Sequence, residues 1–148
     1  MPDDERWLRQ AIELSRSCPV SPTAFSVGAI VVDAGGNVLA TGYSRQGNDP
    51  VVHAEEAALA SLADGDPRLA TATIYSSLEP CSTRASRPRP CAELIVAAGI
   101  GRVVFAWREP DLFVDCHGAE NLRAAGVEVV EMPDLAPLVR DVNAHLLG

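Results

Sequence analysis

Apolar residues recur along this chain at two spacings, and each change of spacing marks an expected change of element. Trp7, Leu8, Ala11, Ile12 and Leu14 lie on one stripe of a 3.6-residue repeat, which predicts a helix over 4–17 with acids in its first turn. Cys18-Pro-Val-Ser-Pro22 ends it, because a proline biases the residue before it away from helical geometry. Ala29 to Val32 and Val38 to Tyr43 read as short strands. Between them Asp33-Ala-Gly-Gly-Asn37 is rich in residues that tolerate positive φ, so the two strands should pair as an antiparallel hairpin.

A second helix is expected to open at His53 and run through Leu62 to the stop at Asp64-Gly65-Asp66-Pro67. Ala72 to Leu78 reads as a strand that delivers Glu79-Pro80-Cys81 at its end. Cys91 then starts a helix with a proline ahead of it and Gly99 behind. Arg102 to Ala106 is an apolar strand, Gly118 to Ala125 a short helix, Val127 to Val130 a last strand. Asp134 to Leu147 carries a helical stripe through Leu135, Leu138, Val139, Val142, Leu146 and Leu147. Strand and helix alternate after His53, which implies parallel strands with helices on their faces. The expected architecture is a single α/β domain over 1–148, a three-layer α/β/α sandwich around a five-strand mixed sheet.

Composition narrows the functional classes. A chain of 148 residues with 47% hydrophobic content can bury a real core. No apolar run reaches membrane-spanning length, and Met-Pro-Asp-Asp-Glu-Arg lacks the basic and apolar regions of a signal peptide, so a cytoplasmic protein is expected. The net charge of −8 repels a phosphate backbone and argues against a life on DNA or RNA. Arg84, Arg87 and Arg89 are a local exception, read either as a cradle for one phosphate of a small substrate or as a solvated basic loop.

The candidate chemistry lies in His53-Ala54-Glu55, Pro80-Cys81 and Pro90-Cys91. An imidazole and two thiolates supply three zinc ligands and leave a fourth position for water, as in a catalytic site. Glu55 is near enough to handle that water's protons without being a ligand. Nine residues separate the cysteines, so Cys81 must approach from its strand and Cys91 from its helix, with the loop between them walling the pocket. The backbone amide of Ala54 is a candidate for orienting water or a carbonyl. Phe25 suits stacking on a ring or a place in the core, and Trp107 ends a strand where α/β ligand sites gather. Glu56 is assigned a structural or solvent-facing role and His145 a structural role without evident partners, while Cys116-His117 offers either two potential metal ligands too close in sequence to chelate one ion well or a segment near the pocket rim.

Val27-Gly28-Ala29, Gly42-Tyr43, His53-Ala54-Glu55, Leu78-Glu79-Pro80-Cys81-Ser82, Arg87-Pro88-Arg89-Pro90-Cys91 and Ala97-Ala98-Gly99 together resemble the cytidine deaminase superfamily. Within it, the long loop between the cysteines is similar to that in the deaminase domain of the bifunctional riboflavin-biosynthesis deaminase/reductase. The resemblance implies a cytidine deaminase-like fold, Zn2+ held by His53, Cys81 and Cys91, Glu55 as proton shuttle, and a homodimer or higher homo-oligomer. Where the riboflavin branch carries an Asn shortly before Val-Gly, this chain has Thr23 and Ala24, and after the first cysteine it has Ser82-Thr83-Arg84-Ala85-Ser86-Arg87. Thr23, Ser82, Arg84 and Arg87 are therefore candidate substrate contacts. The expected activity is zinc-dependent hydrolytic deamination of a small aminopyrimidine-type heterocycle, a riboflavin-pathway aminopyrimidine or a cytosine-type nucleoside or nucleotide. Deamination of a base within a nucleic acid, of the tRNA adenosine type, and a non-catalytic zinc module are the alternatives.

Overall fold

A computed structural model describes residues 2–19, 21, 25–48, 52–63, 65–80, 91–108 and 118–146. The elements follow the chain as α1 (Pro2–Ser15), β1 (Gly28–Val32), β2 (Val38–Tyr43), α2 (Ala54–Ala60), β3 (Thr73–Leu78), α3 (Cys91–Ala98), β4 (Arg102–Trp107), α4 (Gly118–Ala124), β5 (Glu128–Glu131) and α5 (Ala136–Val142). The strands form one sheet in the order β2-β1-β3-β4-β5. β1 pairs antiparallel with β2, placing Gly28 opposite Tyr43, and antiparallel with β3, placing Ile30 opposite Tyr75. β3, β4 and β5 run parallel, with Ser76 opposite Phe105 and Val103 opposite Val129. The mixed sheet expected from the alternation of elements is the one observed.

The β1–β2 turn forms because Asp33 accepts from the backbone N–H of Gly35 and of Asn37, each at 2.9 Å, while Gly36 takes a φ of 84° that a side chain would disfavour. Period-two alternation then sorts side chains between two core layers. Ile30, Val32, Tyr75, Val104 and Ala106 meet Trp7, Leu8, Ala11 and Ile12 of α1 and Leu135 and Val139 near the chain end. On the other face Ala29, Val31, Ile74, Leu78 and Val103 meet Ala54 and Ala58 of α2, Ile95 of α3 and Leu122 of α4. Helices thus cover both faces of the sheet, in three layers.

Three expected helices have different limits, and α2 is the least changed, ending at Ala60 with Ser61 as C-cap and not at Leu62. The first spans 2–15 and not 4–17, since the Ser15 hydroxyl donates to the Ile12 carbonyl and the chain leaves the helix through turns at 16–18. The last is not continuous over 134–147. Pro133–Leu135 and Ala144–Leu146 are single 3-10 turns flanking α5, and Asn143 interrupts them. The Asn143 side chain is fully buried, where its Oδ1 accepts from Ser26 N at 2.6 Å and its Nδ2 donates to Ser26 O at 3.2 Å. A polar side chain this deep needs those partners, and α5 ends at the residue that makes them. His145, expected to have no partner, has its Nε2 3.0 Å from the Ser21 carbonyl oxygen.

Candidate active site

α2 begins where the sequence places it, with His53 as the N-cap in extended conformation (φ −92°, ψ 159°) and Ala54, Glu55 and Glu56 in the first turn. Glu56, three residues on, returns its carboxylate to accept from the His53 N–H at 3.3 Å, which gives it the structural role expected. The loop before the helix is closed by Arg45, whose N–H donates to Val52 O at 2.8 Å. Arg45 takes a left-handed φ of 60° and is buried, donating through Nε to Pro19 O at 2.9 Å, through Nη1 to Phe25 O at 3.3 Å and through Nη2 to Ser26 Oγ at 3.0 Å. Burial among neutral oxygens pushes its pKa below the usual arginine value. One guanidinium therefore ties the segment before β1 to the loop that presents His53.

From that position His53 turns its Nδ1 toward Cys91, the first residue of α3, with 3.4 Å between Nδ1 and Sγ. Cys91 is fully buried. Its place at the start of a helix puts it beside backbone N–H groups that lack helical acceptors. Glu55, two residues from His53, is buried on the side of α2 that faces the sheet, and its Oε2 lies 3.1 Å from the Ser76 hydroxyl on β3. Ala54 is buried against β2. Cys81, Ser82, Arg84, Arg87, Arg89, Thr23, Cys116 and His117 lie outside the described residues.

The donor set fits zinc. Two ligands of a tetrahedral zinc at bond lengths of about 2.05 Å to nitrogen and 2.3 Å to sulfur stand roughly 3.6 Å apart, close to the separation of Nδ1 and Sγ. An imidazole and a thiolate are also the ligand chemistry that zinc prefers. Among the described residues no group of three potential ligands comes together.

Phe25 and Trp107 meet edge to face, their ring centroids 5.7 Å apart at 80°. Phe25 is buried in the core layer that also holds Ala54, and Trp107 is partly exposed at the end of β4. Of the two readings for Phe25, the core one matches its surroundings. Glu79, to which the sequence reading gave no role, is buried beyond the end of β3, accepting from Ala119 N at 3.0 Å, with Arg108 Nη1 at 3.7 Å. It anchors the strand end that leads to Cys81 against the start of α4. Glu79, Arg45 and Ser76 all join segments distant in sequence, and only the Glu79-Pro80-Cys81 run hinted at any of them.

Gly42 sets how closely α2 approaches the sheet, because a Cβ there would lie 2.4 Å from Ala54 O and 2.5 Å from Ala58 N. These are backbone atoms of the helix that carries His53 and Glu55, so they can yield only if α2 shifts. Gly42→Ala is expected to cost about 1–3 kcal/mol and to lower zinc affinity, measured by thermal unfolding and metal titration. A variant as stable and as tightly loaded as the parent would mean that helix and strand have room to separate.

Residues 1–107 match the family model of the cytidine and deoxycytidylate deaminase zinc-binding region. Over 131 residues the chain is 39% identical to the diaminohydroxyphosphoribosylamino-pyrimidine deaminase of Schizosaccharomyces pombe, covering 86% of this chain and 31% of that protein. The chain thus spans about a third of the length of the curated relatives it matches. Acinetobacter baumannii RibD superposes with a TM-score of 0.77 at 31% identity, covering 97% of this chain and 38% of that one. The dCMP deaminase of cyanophage S-TIM5 superposes with a TM-score of 0.65 at 26% identity, over 88% of this chain and 98% of that one. With the family model matching most of its length, this chain belongs to the cytidine and deoxycytidylate deaminase zinc-binding family.

Proposed function

We propose that the chain is a zinc-dependent hydrolytic deaminase whose substrate is diaminohydroxyphosphoribosylaminopyrimidine, the compound in the names of relatives from both comparisons. The observation that carries the reading is the 3.4 Å approach of His53 Nδ1 to Cys91 Sγ with the Glu55 carboxylate buried two residues away. His53, Cys91 and Cys81 are the proposed ligands. Bound there, zinc would supply the Lewis acidity that brings the pKa of water toward neutrality. Glu55 takes a proton from the attacking water as its oxygen adds to the amino-bearing ring carbon. The same carboxyl delivers protons to the ring nitrogen and to the departing amine. The C–N bond breaks, ammonia leaves and an oxo group remains, so one water is consumed for each ammonia released. An unligated acid is of no use to a purely structural zinc site, which would recruit a fourth protein ligand.

Ser82, Arg84 and Arg87 are proposed to contact the substrate from the loop between the cysteines, with the arginines on its phosphate. Thr23, the Ala54 amide and Trp107 are assigned to the ring side of the pocket. Phe25 supports Trp107 from below. A homodimer or higher homo-oligomer is proposed as the working assembly. No helix among the described residues is long and apolar enough to cross a membrane.

Ammonia release from a panel tests the reading: diaminohydroxyphosphoribosylaminopyrimidine, its dephosphorylated form, dCMP, cytidine and an adenosine-containing tRNA. The phosphorylated pyrimidine is expected to react fastest, with dCMP second. Charge-assisted contacts to a phosphate contribute about 1.5–3 kcal/mol each, so removing the phosphate should lower kcat/KM by at least tenfold. Turnover of tRNA alone would replace this reading with the nucleic-acid one.

A further inference from the structure

Ser76 is a hydroxyl in the middle of an apolar strand face. Ile74, Ser76 and Leu78 point from β3 toward α2 and α3, and all three are buried, Ser76 completely. A central strand gains most from β-branched and aromatic residues, and a fully buried hydroxyl costs free energy unless it is bonded. Packing alone therefore gives no reason for a serine here.

Its partners do. The Ser76 Oγ lies 2.8 Å from the Leu78 carbonyl oxygen and 3.1 Å from Glu55 Oε2. Leu78 is the last residue of β3, one step before Glu79 and three before Cys81. The hydroxyl thus stands between the carboxylate assigned to proton transfer and the strand end that leads to a proposed zinc ligand. Glu55 has a flexible side chain on a seven-residue helix, and fixing the direction of its carboxyl requires a contact from outside that helix. Ser76 supplies one from the rigid centre of the sheet.

We infer that Ser76 is a positioning residue for the reaction, holding one carboxyl oxygen of Glu55 so that the group meets water and substrate in a fixed orientation. The inference rests on the reading of Glu55 as the proton shuttle. A purely structural serine, closing a local turn onto Leu78 O, would affect stability and leave turnover alone.

The test uses the zinc-loaded protein and diaminohydroxyphosphoribosylaminopyrimidine, or whichever panel member releases most ammonia. Ser76→Ala is expected to lower kcat by about tenfold or more, the loss expected for a hydrogen bond to a charged group, with KM and zinc content unchanged. Ser76→Cys keeps the volume and should show the same loss, which decides the matter if the Ala variant folds poorly. Ser76→Thr, which restores a hydroxyl, is expected to recover most of the turnover. Infrared bands of the Glu55 carboxyl, identified by their absence from Glu55→Gln, should shift in Ser76→Ala and return in Ser76→Thr. Parent-like kcat in both the Ala and Cys variants, or a loss confined to zinc content or KM, overturns the inference. Glu55→Gln run alongside separates the two levels. If Glu55→Gln keeps full turnover, the assignment of Glu55 as proton shuttle fails and the role of Ser76 falls with it, whereas an inactive Glu55→Gln beside fully active Ser76 variants removes Ser76 alone.

Discussion

Glu55→Gln is expected to keep the fold and the zinc while turnover falls by roughly 100- to 10,000-fold, the range that positioned acid–base groups supply. Glutamine has nearly the same shape, and its amide oxygen can still meet the Ser76 hydroxyl that lies 3.1 Å from the carboxylate. What it lacks is the capacity to take a proton and give it back. Glu55 is also only 4% exposed, so the native protein carries the desolvation cost of a buried carboxyl at this point. The neutral amide relieves that cost, and the melting temperature of the variant should match or exceed the parent's. A loss of turnover with unchanged or higher stability is the signature of a group kept for chemistry at the expense of the fold. Kinetics with metal analysis and thermal unfolding on the same preparation check all three parts, and a variant that works as well as the parent removes Glu55 from the mechanism.

Much of this site is legible in sequence because its parts sit at element boundaries, where local signals are strongest. His53 precedes an alanine-rich run and Cys91 follows a proline, so both are readable as helix starts, and both start helices in the structure. Glu55 follows from its spacing to His53. The hairpin at 33–37 follows from turn chemistry contained within five residues. The parallel direction of β3, β4 and β5 follows from their alternation with helices, since parallel strands require crossovers.

The parts that stay hidden are pairings between distant residues that leave no periodic trace. Asn143 in the stripe 134–147 reads as one polar position of an amphipathic helix. Only the bond to Ser26, 117 residues away in sequence, reveals it as the point where that helix breaks. Ser76 reads as a tolerable residue in a strand until α2 is laid across it. Arg45 reads as a loop cation, and its burial depends on carbonyls of residues 19 and 25 that no local pattern directs toward it. In each case a polar side chain satisfies the backbone or side chain of a segment brought close by the fold, and the partner is knowable only when topology is known.

Asp4 belongs to the same class and carries the largest expected effect on stability. In sequence it is one of several acids that favour the start of a helix; in the structure it is 4% exposed and joins α1 to two strands. Arg102 of β4 donates from Nη1 to Oδ1 at 2.8 Å and from Nη2 to Oδ2 at 2.6 Å, a bidentate pair, and the Tyr75 hydroxyl of β3 donates to Oδ1 at 2.7 Å. Arg102 also holds Glu128 of β5 at 2.6 Å through Nε. The hydrogen bonds from Arg102, more than any other cause, hold the Asp4 carboxyl below its ordinary value of 3.8, and burial together with the bond to Asp4 raises the Tyr75 hydroxyl. Asp4→Asn keeps the shape, removes the charge and sets an amide donor against the donors of Arg102. Breaking a largely buried pair in this way should cost about 2–4 kcal/mol, or on the order of 10 °C in melting temperature at neutral pH.

The sign of the pH dependence follows from the direction of the shift. A carboxyl whose pKa is lower in the folded state stabilises the fold at every pH above its unfolded value, and that contribution fades as pH falls from there through the folded value. The gap in stability between parent and Asp4→Asn should therefore be constant from pH 5 to 8 and shrink as acid is added below about 4. Denaturant unfolding of both proteins at a series of pH values reads the gap directly. A gap that stayed the same down to pH 2 would show that the asparagine costs packing alone and that the charge on Asp4 contributes nothing. Because the triad lies on the face of the sheet covered by α1, opposite the face that carries Glu55, zinc loading and KM should be unchanged in whatever fraction of the variant remains folded.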